Sequence, residues 1–291
     1  PTLPTHDSVV LPLKPVTVKI AEGEPVVRKT LKVKVRNADI DPELEDPGHT
    51  MQLTVDDGDC PAGMVVGAPD FDKDSDGDQD SILLRGGKSA SAVLRLDIAA
   101  ASFTRFNRKA PARCTLLLMV EAPGFDDPAP SNNSVPLEIN VFDANDSDQS
   151  AVHQSFVTSL KPVALSIRRG ADAATKTIKV KAGNADILAE AEEQGDLLTV
   201  TALDGTCPAA TVGAVDYDAK TSGDQNVATV EGGKVASGKL IVTAAAGEVA
   251  TASSKSPARC IATISVAGPG GDSEASNDTT SLVIDVYDKN D

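Results

Sequence analysis

The chain has 291 residues and a formal net charge of −16, with 27 Lys and Arg set against 43 Asp and Glu. That excess of carboxylates repels a phosphate backbone and excludes a nucleic-acid partner, and no stretch reaches the roughly 18 apolar residues of a membrane-spanning helix. With 3% aromatic residues and no Trp, stacking platforms for sugars or bases are nearly out of reach. The chain opens at Pro1 without a charged-then-apolar leader, which suggests a processed or excised piece.

Read in chain order, the sequence repeats itself. Leu13-Lys14-Pro15-Val16 returns as Leu160-Lys161-Pro162-Val163, and Asn37-Ala38-Asp39-Ile40 as Asn184-Ala185-Asp186-Ile187. Asp57-Gly58-Asp59-Cys60-Pro61-Ala62 returns as Asp204-Gly205-Thr206-Cys207-Pro208-Ala209, and Pro111-Ala112-Arg113-Cys114 as Pro257-Ala258-Arg259-Cys260. The offset drifts only from 147 at Pro15/Pro162 to 145 at Val141/Val286. Such self-similarity marks a tandem duplication of a unit of about 145 residues, an ordinary single-domain size. The polar run Asp146-Ser147-Asp148-Gln149-Ser150 places the seam, giving domains 1–148 and 149–291.

Within each unit the apolar period is two. Leu31, Val33 and Val35 alternate with Lys32, Lys34 and Arg36, and Leu137, Ile139 and Val141 with Glu138 and Asn140. Cys114, Leu116, Leu118 and Val120 align with Cys260, Ala262, Ile264 and Val266, and Leu282, Ile284 and Val286 close the second unit. Strand side chains point alternately to opposite faces, so each segment is expected to have one buried face and one wet face. About seven such segments per unit, split by Gly, Pro and Asp, predict antiparallel strands packed as a β-sandwich, twice. A short helix is expected at Leu188–Gln194, where Ala and Glu cluster.

Four Cys allow three pairings, and a duplicated unit favours the one that repeats, Cys60–Cys114 and Cys207–Cys260. Four buried free thiols are the alternative; a zinc site is disfavoured because no Cys-x-x-Cys or Cys-x-x-His spacing occurs. Paired cysteines imply an oxidising compartment, hence secretion or a cell surface.

The run Thr30–Asp39, echoed by Thr177–Asp186, resembles the early strand of bacterial immunoglobulin-like surface domains, nearest in style to the cell-adhesion-related (CARDB-like) group. Ser131-Asn132-Asn133-Ser134 and Ser276-Asn277-Asp278-Thr279 are similar to the Asn pair that precedes the last strand in that group. The resemblance implies an all-β fold of two tandem immunoglobulin-like antiparallel β-sandwich domains, with an adhesive or structural role at the cell surface.

The sharpest local signal is the acidic run from Asp70 to Asp80, six Asp in eleven residues. From Asp72 it reads Asp-x-Asp-x-Asp-Gly-x-x-Asp, the front of an EF-hand-type calcium loop in which alternate carboxylates converge on one ion. Asp72, Asp74, Asp76, Asp78 and Asp80 are the candidate Ca2+ ligands, although position twelve is Leu83 where a bidentate Glu is usual. A solvated acidic loop is the alternative. The second unit carries Lys220 and Ser222 in place of Asp74 and Asp76, so calcium is expected in the first unit only. Asp143-Ala144-Asn145-Asp146 and Asp288-Lys289-Asn290-Asp291 are similar to a cadherin linker, but a polar strand exit is the default. Asn132, Asn145 and Asn277 fit the glycosylation acceptor pattern.

Catalysis finds little support. His6, His49 and His153 group with no Ser or Cys, and the equivalence of His6 and His153 suggests a shared surface role over chemistry. The expected function is therefore a non-catalytic extracellular spacer, or a subunit of a surface fibre, with a protein partner or head-to-tail self-association. A junction after Asp291 that imitates the Asp146–Val152 linker would propagate a filament. The competing expectation is a calcium-assisted binding module for carbohydrate or a receptor, built on the Asp70–Asp80 loop.

Overall fold

The computed structural model describes residues 5–21, 24–39, 48–72, 79–102, 110–143, 154–168, 171–185, 195–206, 209–218, 225–246, 252–269, 272 and 275–289. The protein is all-β, two sandwiches of matching topology. In the first, one sheet has the order β1 (Ser8–Val10), β3 (Val26–Asn37), β7 (Ser89–Ala99), β5 (Met64–Val66). The facing sheet runs β2 (Val16–Ile20), β9 (Ser134–Asp143), β8 (Ala112–Glu121), β4 (His49–Asp56), β6 (Ser81–Leu84).

The second sandwich repeats both orders. One sheet is β10 (Ser155–Val157), β12 (Ala173–Asn184), β16 (Val235–Ala245), β14 (Ala210–Asp216). The other is β11 (Val163–Ile167), β18 (Thr279–Asp288), β17 (Ala258–Ala267), β13 (Asp196–Thr206), β15 (Val227–Val230). Each half thus has nine strands among the described residues, two more than the alternation predicts. β1, β5 and β6 are only three or four residues long, too short to carry a period-two signal.

The pairing is not wholly antiparallel either. β2 runs parallel to β9, with Val16 opposite Ile139, and β11 runs parallel to β18, with Val163 opposite Ile284. The repeated Lys-Pro-Val explains this: the chain leaves one sheet after β1, crosses at Pro15, which has no N–H to give a ladder, and joins the other sheet. The β10–β11 step repeats the crossing at Pro162. The repeated Asp-Gly has an equally local cause. Gly58 and Gly205 sit at φ of 59° and 57°, and an added Cβ would strike the carbonyl oxygen of Thr115 or Ile261.

The predicted inward residues fill each core. Val33, Val35, Leu116, Leu118, Leu137 and Ile139 are buried in the first, and Ala262, Ile264, Leu282 and Ile284 in the second; Leu94 and Leu240 join them from strands the alternation does not mark. Cys60 and Cys114 form a disulfide between Cα atoms 4.8 Å apart. Cys260 is likewise disulfide-bonded, while Cys207 lies outside the described residues. So do the seam at 147–151, the expected helix at Leu188–Gln194, and Ala144, Asn145 and Asp146.

The expected wet face fails on β8, β9, β17 and β18. Arg113, Glu138, Asn140 and Arg259 lie on the polar side of the alternation, yet all are buried, because the two sandwiches pack against each other there. The contacts come in matched pairs. The Arg113 N–H donates to Ser276 Oγ at 3.0 Å, and the Arg259 N–H to Ser131 Oγ at 3.4 Å. Arg113 Nη1 donates to the Thr279 carbonyl, and Arg259 Nη1 to the Ser134 carbonyl. Arg113 Nη2 donates to the Val157 carbonyl at 2.8 Å, and Arg259 Nη1 to the Val10 carbonyl at 2.7 Å. Equivalent residues exchange partners, so the junction is quasi-two-fold, the arrangement of an isologous dimer.

Candidate functional site

Two groups of side chains stand out from the scaffold. The first is the acidic loop, whose described parts are its ends. Asp70 is buried, its N–H bonding the Val93 carbonyl at 2.9 Å, and its Oδ1 accepts the Asp72 N–H at 3.1 Å. The Phe71 N–H closes the neck on the Gln79 carbonyl at 2.9 Å. Asp80 Oδ2 accepts Gln52 Nε2 at 2.9 Å, which ties that carboxylate to β4. The second sandwich closes the same neck from Tyr217 to Gln225, with Asp218 bonded to Asp216 Oδ1. Asp72 is exposed and Asp80 half-buried; Asp74, Asp76 and Asp78 lie outside the described residues.

The second group does not follow from sequence spacing. His6, Asp39 and His49 come from three separate segments and meet at one edge of the first sandwich. His6 precedes β1, its N–H bonded to the Asp126 carbonyl at 2.9 Å. Asp39 follows β3 in a turn closed by Asn37, whose Oδ1 accepts the Asp39 N–H at 3.0 Å and whose amide reaches the Leu84 carbonyl. His49 opens β4 opposite Leu84. His6 Nδ1 lies 2.6 Å from Asp39 Oδ2 and 2.6 Å from His49 Nδ1, and the His49 Nδ1 to Asp39 Oδ2 distance is 3.5 Å. Phe125 lies against His49, ring centroids 4.3 Å apart.

His6 is 1% exposed, so its expected surface role is corrected: the aromatic ring is a buried member of the cluster. Its Nε2 has no hydrogen-bond partner, and no hydroxyl or thiol is bonded to it among the described residues. Burial pushes the Asp39 carboxyl upward, but the His6 bond, the Asp7 N–H and both imidazoles outweigh it and hold it below the ordinary carboxylate value. At neighbouring Asp7 burial prevails, helped by repulsion from Asp127 and Asp39, and raises the carboxyl against its bonds to Ser256 and Asn132. The signal available was the Asn-Ala-Asp turn together with two of three histidines in one unit; their separations of 33 and 43 residues hid the meeting.

The glycosylation reading is corrected for two acceptors. Asn132 and Asn277 are both fully buried, Asn132 donating across the junction to Ser256 Oγ and the Pro257 carbonyl, each at 3.2 Å. Asn145 lies outside the described residues. An open groove of about 940 Å3 runs between the sandwiches, edged by Lys14, Lys19, Lys161 and Lys181, a cationic strip on an acidic protein.

No family model matches the chain, and no curated protein matches it. Among solved structures it is similar to the CupB6 tip adhesin from Pseudomonas aeruginosa, at 10% identity over 99% of both chains with a TM-score of 0.26. It is also similar to the adhesin InvE from Yersinia pseudotuberculosis, at 11% identity over 97% of this chain and 58% of that one, TM-score 0.21. A third is the zebrafish RET cadherin-like domains 1 to 4, at 8% identity over 98% and 52%, TM-score 0.22. Likenesses of this size carry no functional weight.

Proposed function

We propose that the chain is a non-catalytic extracellular structural or adhesive module, built of domains 1–148 and 149–291 held side by side as one rigid body. The observation that carries this reading is the junction. Arg113, Glu138, Asn140 and Arg259 are buried there, and each bonds across to the opposite sandwich, with Arg113 and Asn140 forming the floor of the groove between the halves. A flexible string of beads needs no such investment; a spacer or platform that must keep its shape does. The disulfide between Cys60 and Cys114 supports an oxidising, extracellular setting. The partner is a protein, with carbohydrate the alternative. Self-association remains part of the reading, but the junction within the chain is self-complementary and closes on itself, so head-to-tail growth would use other surfaces.

The test is adhesion without turnover. Beads carrying the full chain are expected to hold to protein-coated or polysaccharide-coated surfaces, while panels of ester, glycoside and peptide substrates show no turnover. Turnover that vanishes in a folded His49→Ala chain would overturn the reading, and so would beads that neither adhere nor cluster.

A calcium-assisted binding loop is the second reading, favoured by the closed neck at Phe71 and Gln79 and the anchoring of Asp80. Asp72, Asp74, Asp76, Asp78 and Asp80 would supply the carboxylates, Asp80 through the oxygen that does not bond Gln52. Calcium is then expected to raise the melting temperature of the wild-type chain but not of an Asp74→Asn, Asp76→Asn double variant, and equal melting with calcium and with chelator would dismiss it.

A further inference from the structure

We infer that His6, Asp39 and His49 form a binding site for a divalent first-row transition ion of the zinc class. Three donor atoms face one another at 2.6, 2.6 and 3.5 Å. Protons alone do not satisfy this arrangement. An imidazole Nδ1 offers either one hydrogen or one lone pair in the ring plane, so His6 Nδ1 cannot donate to Asp39 and accept from His49 together. A cation satisfies all three atoms at once. Atoms with these separations share points about 2 Å from each, which is the length of zinc bonds to imidazole and carboxylate. The 3.5 Å pair already has the spacing of a tetrahedral edge, roughly 3.3 Å; the two shorter pairs open by roughly 0.7 Å as the ion enters.

The donor set decides the metal. Two imidazoles and one carboxylate suit zinc, cobalt or nickel, whereas calcium and magnesium take oxygen shells. Asp39 is prepared to bind through one oxygen. Its Oδ1 accepts the Asp7 N–H at 3.1 Å, which leaves Oδ2 for the ion, and the Asn37 bond to its backbone fixes the turn that presents it. Such outer partners orient metal-binding carboxylates. Phe125 packs against His49, and a water or a group brought by a partner would complete a tetrahedral set. The ion would clamp the segment before β1 to the β3–β4 connection, so this site is independent of the acidic loop and of the adhesive reading.

The second sandwich marks the site as unique to the first. Asp196 stands in the place of His49, and its Oδ2 accepts Asn184 Nδ2 at 2.6 Å. Only one of its aligned residues, His153, is an imidazole.

The experiment is metal binding by the intact chain, stripped with chelator and titrated with zinc, then with cobalt, whose visible absorption reports tetrahedral nitrogen and oxygen coordination. One equivalent per chain is expected, with a rise in melting temperature. His49→Asp, which installs the second sandwich's residue at a partly exposed position, is expected to weaken binding at least about tenfold while circular dichroism is unchanged. Asp39→Asn is the second variant, keeping the shape and removing the charge. Fewer than about half an equivalent on the wild-type chain overturns the proposal, as does zinc binding undiminished in both variants. Loss of adhesion with zinc binding intact would fault the functional reading and leave this site standing.

Discussion

Equivalent positions in the two sandwiches hold the same backbone partners and different side chains. At the junction, Arg113 and Arg259 each cross to carbonyls of the opposite half, but their own-sheet partners differ. Arg113 Nε bonds Asn140 Oδ1, a neutral amide, and Arg259 makes a bidentate pair with Asp285. Glu138 reaches over to Thr280 Oγ1 and the Ser281 N–H; its counterpart Val283 inserts into the core of the first sandwich. Size is exchanged too. Arg36 lies opposite Val9 in the first sandwich, while Gly183 lies opposite Phe156 in the second, where any Cβ would strike the ring. The shared part is therefore the bonding of a buried guanidinium to carbonyls, and each half has diverged around it by paired compensation. Burial pulls the Arg113 guanidinium below its ordinary value, opposed by Glu138 and Asp278, as expected of a cation held under a covering face.

The comparison breaks most readily at the guanidinium. Arg259→Ala strands the Val10, Asn132 and Ser134 carbonyls together with the Asp285 carboxylate, and Arg113→Ala takes from buried Glu138 its counter-charge, leaving it the Thr280 and Ser281 bonds. Removing one partner of a buried ionic pair costs about 3–5 kcal/mol, so both variants should lose that much in urea unfolding and melt in two steps. Arg→Lys should recover little, because one ammonium cannot span several carbonyls. A single unchanged transition would mean that the halves are not coupled here.

Reduction acts within a half and not between halves. Opening Cys60–Cys114 releases a loop with a sequence separation of 54, worth about 4 kcal/mol in the chain-entropy model. A Cys60→Ser, Cys114→Ser chain should therefore unfold at lower denaturant, and when combined with Arg259→Ala only the first sandwich's step should shift. A smaller effect, about 1–3 kcal/mol, is expected for Glu138→Val, which makes the two sides alike but leaves Thr280 Oγ1 and the Ser281 N–H without their acceptor. Unchanged stability would show that the compensation at Val283 can be adopted on both sides.

The alternation of Leu31, Val33 and Val35, the repeated Pro15 and Pro162, and the cysteine spacing were legible because each reports a local rule of strands and turns. The burial of Glu138 and Asn140 was not, because period two says only that those side chains face away from their own core. Whether water or another sandwich covers them depends on how the halves dock. Pro-Ala-Arg-Cys was visible as a repeat, yet nothing near Arg113 or Arg259 in sequence names Thr279, Val157 or Val10 as partners. The same gap hides the cluster: in sequence Asp39 belongs to a strand motif and His6 to a repeated surface position, and only the β1–β3 and β4–β6 pairings bring them to one edge.

Phe71 and Tyr217 give the finest contrast. Both sit at the neck of the equivalent loop against their cores, but Tyr217 carries a hydroxyl that is buried with no partner among the described residues, and burial raises its pKa to about 12. Replacing it with the residue of the first sandwich removes an unsatisfied polar group, so Tyr217→Phe is expected to stabilise the chain by about 1 kcal/mol. The pH dependence has a definite sign. Between the ordinary tyrosine value of about 10 and this raised one, the folded chain keeps a proton that the unfolded chain loses, so wild-type stability falls as pH climbs through that window. The variant has no such group at this position and should show a shallower decline from pH 10 to 12 in the same denaturant series. Parallel slopes would mean that the Tyr217 hydroxyl meets solvent after all, and that the two necks differ in nothing but an oxygen.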